Sequence, residues 1–182
     1  IQKKALLEDY KKGVMQQLFT QTVRFKDDHG NDFPGWEDVE IGEVLGYEQP
    51  TKYIVNSTEY SDEYPTPVLT AGKTFILGYT NEEDGICDTG LPLIIFDDFT
   101  TAYKFVDFPF KVKSSAMKIL RVKDNKWDVR FIHNAMSTIR FPKGEHKRYW
   151  ISEYQFMSIP APSPDEQTKI ADFLSAIDSK IE

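Results

Sequence analysis

Ala71-Gly-Lys-Thr74 is the first place to look for chemistry, because glycine, lysine and a hydroxyl residue in that order close the loops that cradle nucleotide phosphates. The upstream glycine of such a loop would stand at position 67, which is Pro67, so a nucleotide site is not expected. Asp97-Asp98 is a carboxylate pair of the sort metal-dependent nucleases use. No Glu-x-Lys partner follows it at a useful distance, and adjacent strand residues point to opposite faces, so a turn or structural use is expected. His29, His133, His146 and Cys87 lack metal-ligand spacing. No nucleophile stands beside a base, and neither a glycine-rich methyl-donor loop nor an Asn-Pro-Pro-aromatic tetrapeptide is present. The expectation is a binding module without catalytic residues, cofactor or metal.

Charge points to what such a module could bind. The net charge of −7 argues against a polyanionic partner, but its distribution does not. Residues 1–26 carry six Lys/Arg against two Asp/Glu (net +4), and residues 27–98 carry two against seventeen (net −15). Residues 99–150 carry twelve against four (net +8), and residues 151–182 two against six (net −4). An asymmetry of this size suggests a polyanion on one side only, with an ordinary solvated surface as the alternative.

The elements that must position these residues are legible in part. With 182 residues, 40% hydrophobic and 14% aromatic, one core-forming domain with flanking helices is the natural expectation. A lone Cys87 leaves no internal disulfide and fits a reducing compartment. With no apolar run near membrane-span length and no signal pattern, a cytoplasmic protein without membrane contact is expected. Near the C-terminus Ser163 is placed to cap a helix, Pro164 to occupy its first position and Glu166 to close a capping box. Ile170, Phe173, Leu174, Ile177 and Ile181 follow on one face. Leu6, Leu7, Tyr10, Val14, Met15 and Leu18 form a second stripe at the other end. The first helix has no start signal and the last no stop signal, so the chain reads as a unit of a longer protein. Between them lies a polar linker, Lys26–Asp32, and then short β-type runs: Thr66–Thr70, Thr74–Tyr79, Pro92–Asp97, Phe110–Lys113 and Ala116–Val122. Leu93-Ile-Ile-Phe96 should be the most buried strand. Trp127–Phe141 reads as helix and Tyr154–Ile159 as a return to strand. The fold class is α+β, an irregular and mostly antiparallel β-rich domain between N- and C-terminal helices.

These features together resemble the specificity (S) subunit of type I DNA restriction–modification systems. The resemblance is carried by the Ile-Pro-x-Pro…Glu-Gln-x-Lys-Ile-Ala…Leu…Ile-Asp run from Ile159 to Ile181 and by Lys11-Lys-Gly-Val-Met-Gln-Gln-Leu-Phe19. Pro34-Gly-Trp36, Ile41-Gly-Glu43 and a Gly78-Tyr79-Thr80 turn add to it. It implies residues 1–20 as the end of a conserved spacer helix, 21–158 as a target recognition domain, and 159–182 as the start of the next spacer helix. It also implies a non-catalytic protein that reads one half of a bipartite duplex DNA site. Methyltransferase (M) and restriction (R) subunits are the implied protein partners, and the spacer helices are expected to pair antiparallel as a coiled coil.

On that reading, affinity comes from lysines and arginines on phosphates and specificity from side chains on base edges. The expected DNA-binding set is Lys73, Thr74, Tyr79, Asn81, Thr100, Thr101, Tyr103, Lys104, Lys111, Lys113, Lys143, Lys147 and Arg148, with Arg140 as a further phosphate contact. Asn81 could pair with adenine and Lys73 with guanine. The acidic 27–98 region is expected to face away from DNA or toward an M subunit. Leu7, Tyr10, Val14 and Leu18 are expected against Ile170, Phe173, Leu174 and Ile177, within the chain or in a homodimer. Two alternatives stand beside this reading: an assembly scaffold for methyltransferase subunits that does not read DNA, and a free-standing enzyme using Asp97-Asp98.

Overall fold

Residues 2–142 and 147–181 are described by a computed structural model. Two compact units make up the chain: Ile1–Glu40 with Asp124–Arg140 and Ser158–Glu182, and Ile41–Lys123 with Phe141–Met157.

The first unit is built on two long helices, α1 (Gln2–Phe19) and α4 (Pro164–Ile181). Lys11 of α1 bonds Asp178 near the end of α4, while Arg24, just past α1, bonds Glu166 in its first turn, so the helices run antiparallel. Leu7, Lys11, Val14 and Leu18 recur at i, i+4, i+7 and i+11, one narrow face of a helix. Leu18 is buried, Leu7 and Val14 are half-buried, and the Lys11 ammonium reaches Asp178 at 2.6 and 2.7 Å. Tyr10 lies about 60° around the helix from Leu7 and is 54% exposed, so it departs from the expected seam. Ile170, Leu174 and Ile177 are buried. Phe173 is half-buried and meets Phe25 beyond the end of α1, ring centroids 5.6 Å apart.

Helix α1 stops where Gln21 adopts φ 57°, and the Thr22 amide donates back to the Gln17 carbonyl. The polar stretch after it is ordered by Asp27, whose carboxylate accepts from the His29 and Asn31 amides. Strand β1 (Glu37–Glu40) pairs antiparallel with β9 (Ser158–Ala161), Val39 opposite Ile159. Helix α3 (Val129–Ala135) is capped by Asp128, which accepts from the Arg130 and Phe131 amides. It gives way to a 3-10 turn over Met136–Thr138, so the helix is much shorter than the 127–141 the pattern suggests.

In α4 the expected Pro164 start holds, but the capping box does not form. Glu166 is fully buried and turns to other partners, Arg24 Nε (3.1 Å), Arg24 Nη2 (2.6 Å) and Trp36 Nε1 (2.9 Å). The Ser163 hydroxyl is buried without a hydrogen-bond partner among the described residues. Gln167 donates to the Pro162 carbonyl and accepts from the Asp128 amide. Arg24 also donates to the Pro34 carbonyl. The Glu-Gln pair and Pro34-Gly-Trp36 are thus two sides of one buried polar joint.

The second unit opens with a short helix, α2 (Ile41–Val44), and holds two sheets. Strands β2 (Leu45–Glu48), β8 (Met117–Val122), β5 (Leu93–Asp97) and β6 (Tyr103–Val106) lie side by side in that order, all antiparallel. The other sheet is β4 (Ile76–Thr80), β3 (Thr66–Leu69) and β7 (Lys111–Val112); β3 and β4 are antiparallel, β3 and β7 parallel. Leu93 to Phe96 are each 0% exposed because both faces of β5 are covered. Leu93 and Ile95 join Leu69, Cys87, Phe110 and Val112 in one core. Phe96, on the other face, meets Trp150 and Tyr154, centroids 5.2 and 4.7 Å away. The stretch expected to return to strand from Tyr154 is first a 3-10 turn, Tyr154–Phe156. Gly78-Tyr79-Thr80 is strand rather than turn: a side chain at 78 would sit 2.7 Å from Cβ of Tyr60, which packs there.

Candidate nucleic-acid interface

Several loops of the second unit leave its sheets at one end. Leu69 lies opposite Val112 in the parallel pair, and the Lys113 amide donates to the Leu69 carbonyl at 3.1 Å. The β3–β4 loop (70–75) and the connector after β7 (113–116) therefore start together. That connector enters β8, whose Met117 is opposite Asp97 at the end of β5, and the Asp98 amide donates to Ala116 at 2.8 Å. The β5–β6 turn thus joins the same end. The 148–150 segment closes on it: the Tyr149 amide donates to the Asp98 carbonyl and the Trp150 amide to Asp98 Oδ1, both at 2.8 Å.

Each loop has its own internal bracing. Thr70 Oγ1 donates to the Thr74 carbonyl (2.7 Å) and accepts from the Gly72 amide (3.2 Å), while Ala71 is buried and Phe75 packs on Phe108. Lys73 and Thr74 are left exposed between these anchors. In the β5–β6 turn Asp97 Oδ1 accepts from the Phe99 and Thr100 amides, both at 2.9 Å, and Thr101 takes φ 58°. Thr100 is exposed and Thr101 half-exposed.

Part of the basic block is taken up inside the unit. Lys111 is 2% exposed and pairs with Glu82 at 2.8 Å while donating to the Asp84 carbonyl at 2.6 Å. It is removed from the set that could meet a phosphate. Burial raises the Glu82 carboxyl, but bonds from Lys111 and the Ser57 and Asn56 amides outweigh it and hold the group below the ordinary glutamate range. Lys118 and Asp98, each 1% exposed, pair at 3.2 Å. Arg121 bonds Glu48 at 3.3 Å and the Thr89 and Gly90 carbonyls. Glu48, Glu82 and Asp98 all come from the acidic 27–98 stretch, so part of the charge contrast along the sequence is internal pairing. These three acids are taken up by pairing within the unit.

The remaining predicted residues separate by place. Lys73 and Lys104 have no carboxylate partner among the described residues; Lys104 is half-buried on β6, opposite Ile95. Lys113 bonds the Tyr60 hydroxyl at 3.4 Å and lies over its ring. Arg148 is about half exposed beside Asp98, and Lys147 pairs with Glu153. Tyr103 lies opposite Phe96, and burial pushes its phenol up to about 12. Tyr79 and the exposed Asn81 belong to the other end of the β3–β4 hairpin, since Thr80 is opposite Thr66. That is roughly 14 Å along the strands from Lys73. Arg140 is exposed in the first unit, and Lys143 lies outside the described residues. Asp97 and Asp98 serve the turn and the core, as the strand argument expected, and the described residues hold no group of three metal-ligating side chains.

Residues 34–182 match the model of the type I restriction modification DNA specificity domain. The chain belongs to that family. It is 54% identical over 133 residues, 71% of its length, to the EcoR124I/EcoR124II type I restriction enzyme specificity subunit of Escherichia coli, and spans 33% of that protein. Two solved structures share the fold. They are the type I restriction-modification S subunit of M. genitalium (TM-score 0.70, 14% identity, 98% of this chain and 49% of that one) and the HsdS subunit of Thermoanaerobacter tengcongensis (0.56, 15%, 98% and 46%). The chain therefore spans a third to about a half of the length of these relatives. No helix among the described residues is long and apolar enough to cross a membrane.

What the sequence reading of this specificity domain missed is Asp98 as a junction. Lys118, its buried partner, was not singled out because it is one of twelve basic residues in its block. A lysine between Met117 and Ile119 in an otherwise apolar strand was the available signal.

Proposed function

We propose that the second unit reads one half of a bipartite duplex DNA site, within a specificity subunit that performs no chemistry itself and docks the methyltransferase and restriction subunits. The observation that carries this reading is the gathering of loops 70–75, 98–102, 113–116 and 148–150 at one end. The cations there are Lys73, Lys113 and a half-exposed Arg148, while Lys111, Lys118 and Arg121 of the basic block are paired inside the unit. Loops braced by a rigid core suit base readout, since their side chains need little ordering on binding. In this proposal Lys73, Thr74, Thr100 and Thr101 face base edges, and Lys104, Lys113, Lys147 and Arg148 face phosphates. Tyr79 and Asn81, at the far end of their hairpin, are left out. Helices α1 and α4 act as parts of the paired rods that set the unread gap.

The test is a swap. In a host carrying the intact operon, this domain is replaced by its counterpart from a homologous specificity subunit and methylated motifs are mapped genome-wide. One half of the motif is expected to change. An unchanged motif with methylation intact would favour the scaffold alternative.

A further inference from the structure

Asp98 carries more connections than a turn residue needs. Its amide bonds Ala116, its carbonyl accepts from Tyr149, Oδ1 accepts from the Trp150 amide, and Oδ2 meets Lys118 Nζ at 3.2 Å and Arg148 Nη1 at 3.3 Å. The carboxylate is 1% exposed, so these partners replace water. Lys118 is equally buried and neutralises it, whereas Arg148 stays 48% exposed. One carboxylate between two cations leaves a net positive charge, and the exposed cation is where it emerges.

The guanidinium is also oriented. Nη1 donates to the Ser115 carbonyl at 3.1 Å, and Cζ lies 5.0 Å over the Phe99 ring. Among the described residues Nε and Nη2 have no acceptor. Because the group is planar, holding Nη1 against Asp98 and Ser115 fixes where the other donors point.

We infer that Asp98 is a positioning residue for the DNA-reading edge, holding Arg148 with its remaining donors preset for a backbone phosphate. This rests on the proposed DNA-reading role of the second unit. A preset fork loses little rotamer freedom on contact and matches phosphate geometry.

The test uses the full-length subunit assembled with its methyltransferase subunits, on a duplex bearing the motif found by methylation mapping. Arg148→Gln is measured in the native background and in Asp98→Asn/Lys118→Met, which removes both buried charges together and leaves net charge unchanged. In the native background, binding is expected to weaken about tenfold and the log–log salt slope to fall by about 0.9. In the double-variant background the loss should shrink to about threefold or less. Equal losses in both backgrounds overturn the positioning role but leave DNA reading standing. No loss in either overturns it too, and Lys73→Ala, run alongside, then decides whether this edge meets DNA at all. Melting curves check folding. Should the double variant not fold, Arg148→Lys in the native background decides: a loss like that of Gln supports the fork, and native affinity overturns it.

Discussion

Replacing Glu166 by alanine should loosen the first unit. The side chain is 0% exposed and accepts three hydrogen bonds, two from Arg24 at 3.1 and 2.6 Å and one from Trp36 at 2.9 Å. The bond to Glu166 is the main reason Arg24 is held above even its ordinary pKa. Removing one side of a buried ion pair costs about 3–5 kcal/mol. Arg24 is 26% exposed and recovers some hydration, so about 2–4 kcal/mol is expected here. For a chain of this size each kcal/mol moves Tm by about 2–4 °C, giving a drop of roughly 4–16 °C in thermal denaturation. Glu166→Gln keeps an acceptor but loses the charge and the two-pronged geometry, and should fall by about half as much. A double-mutant cycle with Arg24→Met supplies the coupling directly, since losses in the two single variants should not add. A Tm within about 1 °C of native for Glu166→Ala, or strict additivity in the cycle, would refute the reasoning.

Three further outcomes are expected. Lys111→Met should destabilise by about 2–4 kcal/mol, because Glu82 loses its cation yet keeps its amide donors, and should leave the DNA salt slope unchanged; a slope reduced by about one would return Lys111 to the interface. Gly78→Ala should cost about 1–3 kcal/mol by driving a methyl to 2.7, 2.8 and 2.9 Å from Tyr60 Cβ, Cγ and Cδ2, and Tyr60→Gly in the same chain, which removes all three atoms, should recover part of the loss in urea melts. Glu82 has a lowered folded pKa, so its contribution is fully present above the ordinary value of 4.5 and is lost as pH falls through the folded one; Glu82→Gln should flatten the Tm-against-pH curve below about pH 4.5, and an unchanged acid limb would contradict it.

Lys143 remains an expectation only, lying outside the described residues, whereas for its neighbours in the basic block the fold decided the outcome. Lys111 and Lys113 are two residues apart, and composition cannot separate them. One is enclosed by Glu82 and Asp84, while the other lies beside Tyr60. Asn81 and Lys73 both sit on polar loops near the same strand, but antiparallel pairing sends them to opposite ends of one hairpin. Burial of Glu166 was equally hidden, since an acidic residue three positions after Ser163 has the spacing of a capping box.

The sequence by itself determined what depends on near neighbours. Proline at 164 starts α4 because its missing amide costs nothing there, and Leu93–Phe96 is buried on both faces because no polar residue interrupts it. The tertiary structure alone decided which charges meet. Arg24 and Glu166 are 142 positions apart, Arg121 and Glu48 73, and Arg148 and Asp98 50. Such pairs depend on strand register and on where loops close, and neither leaves a periodic trace in a single chain.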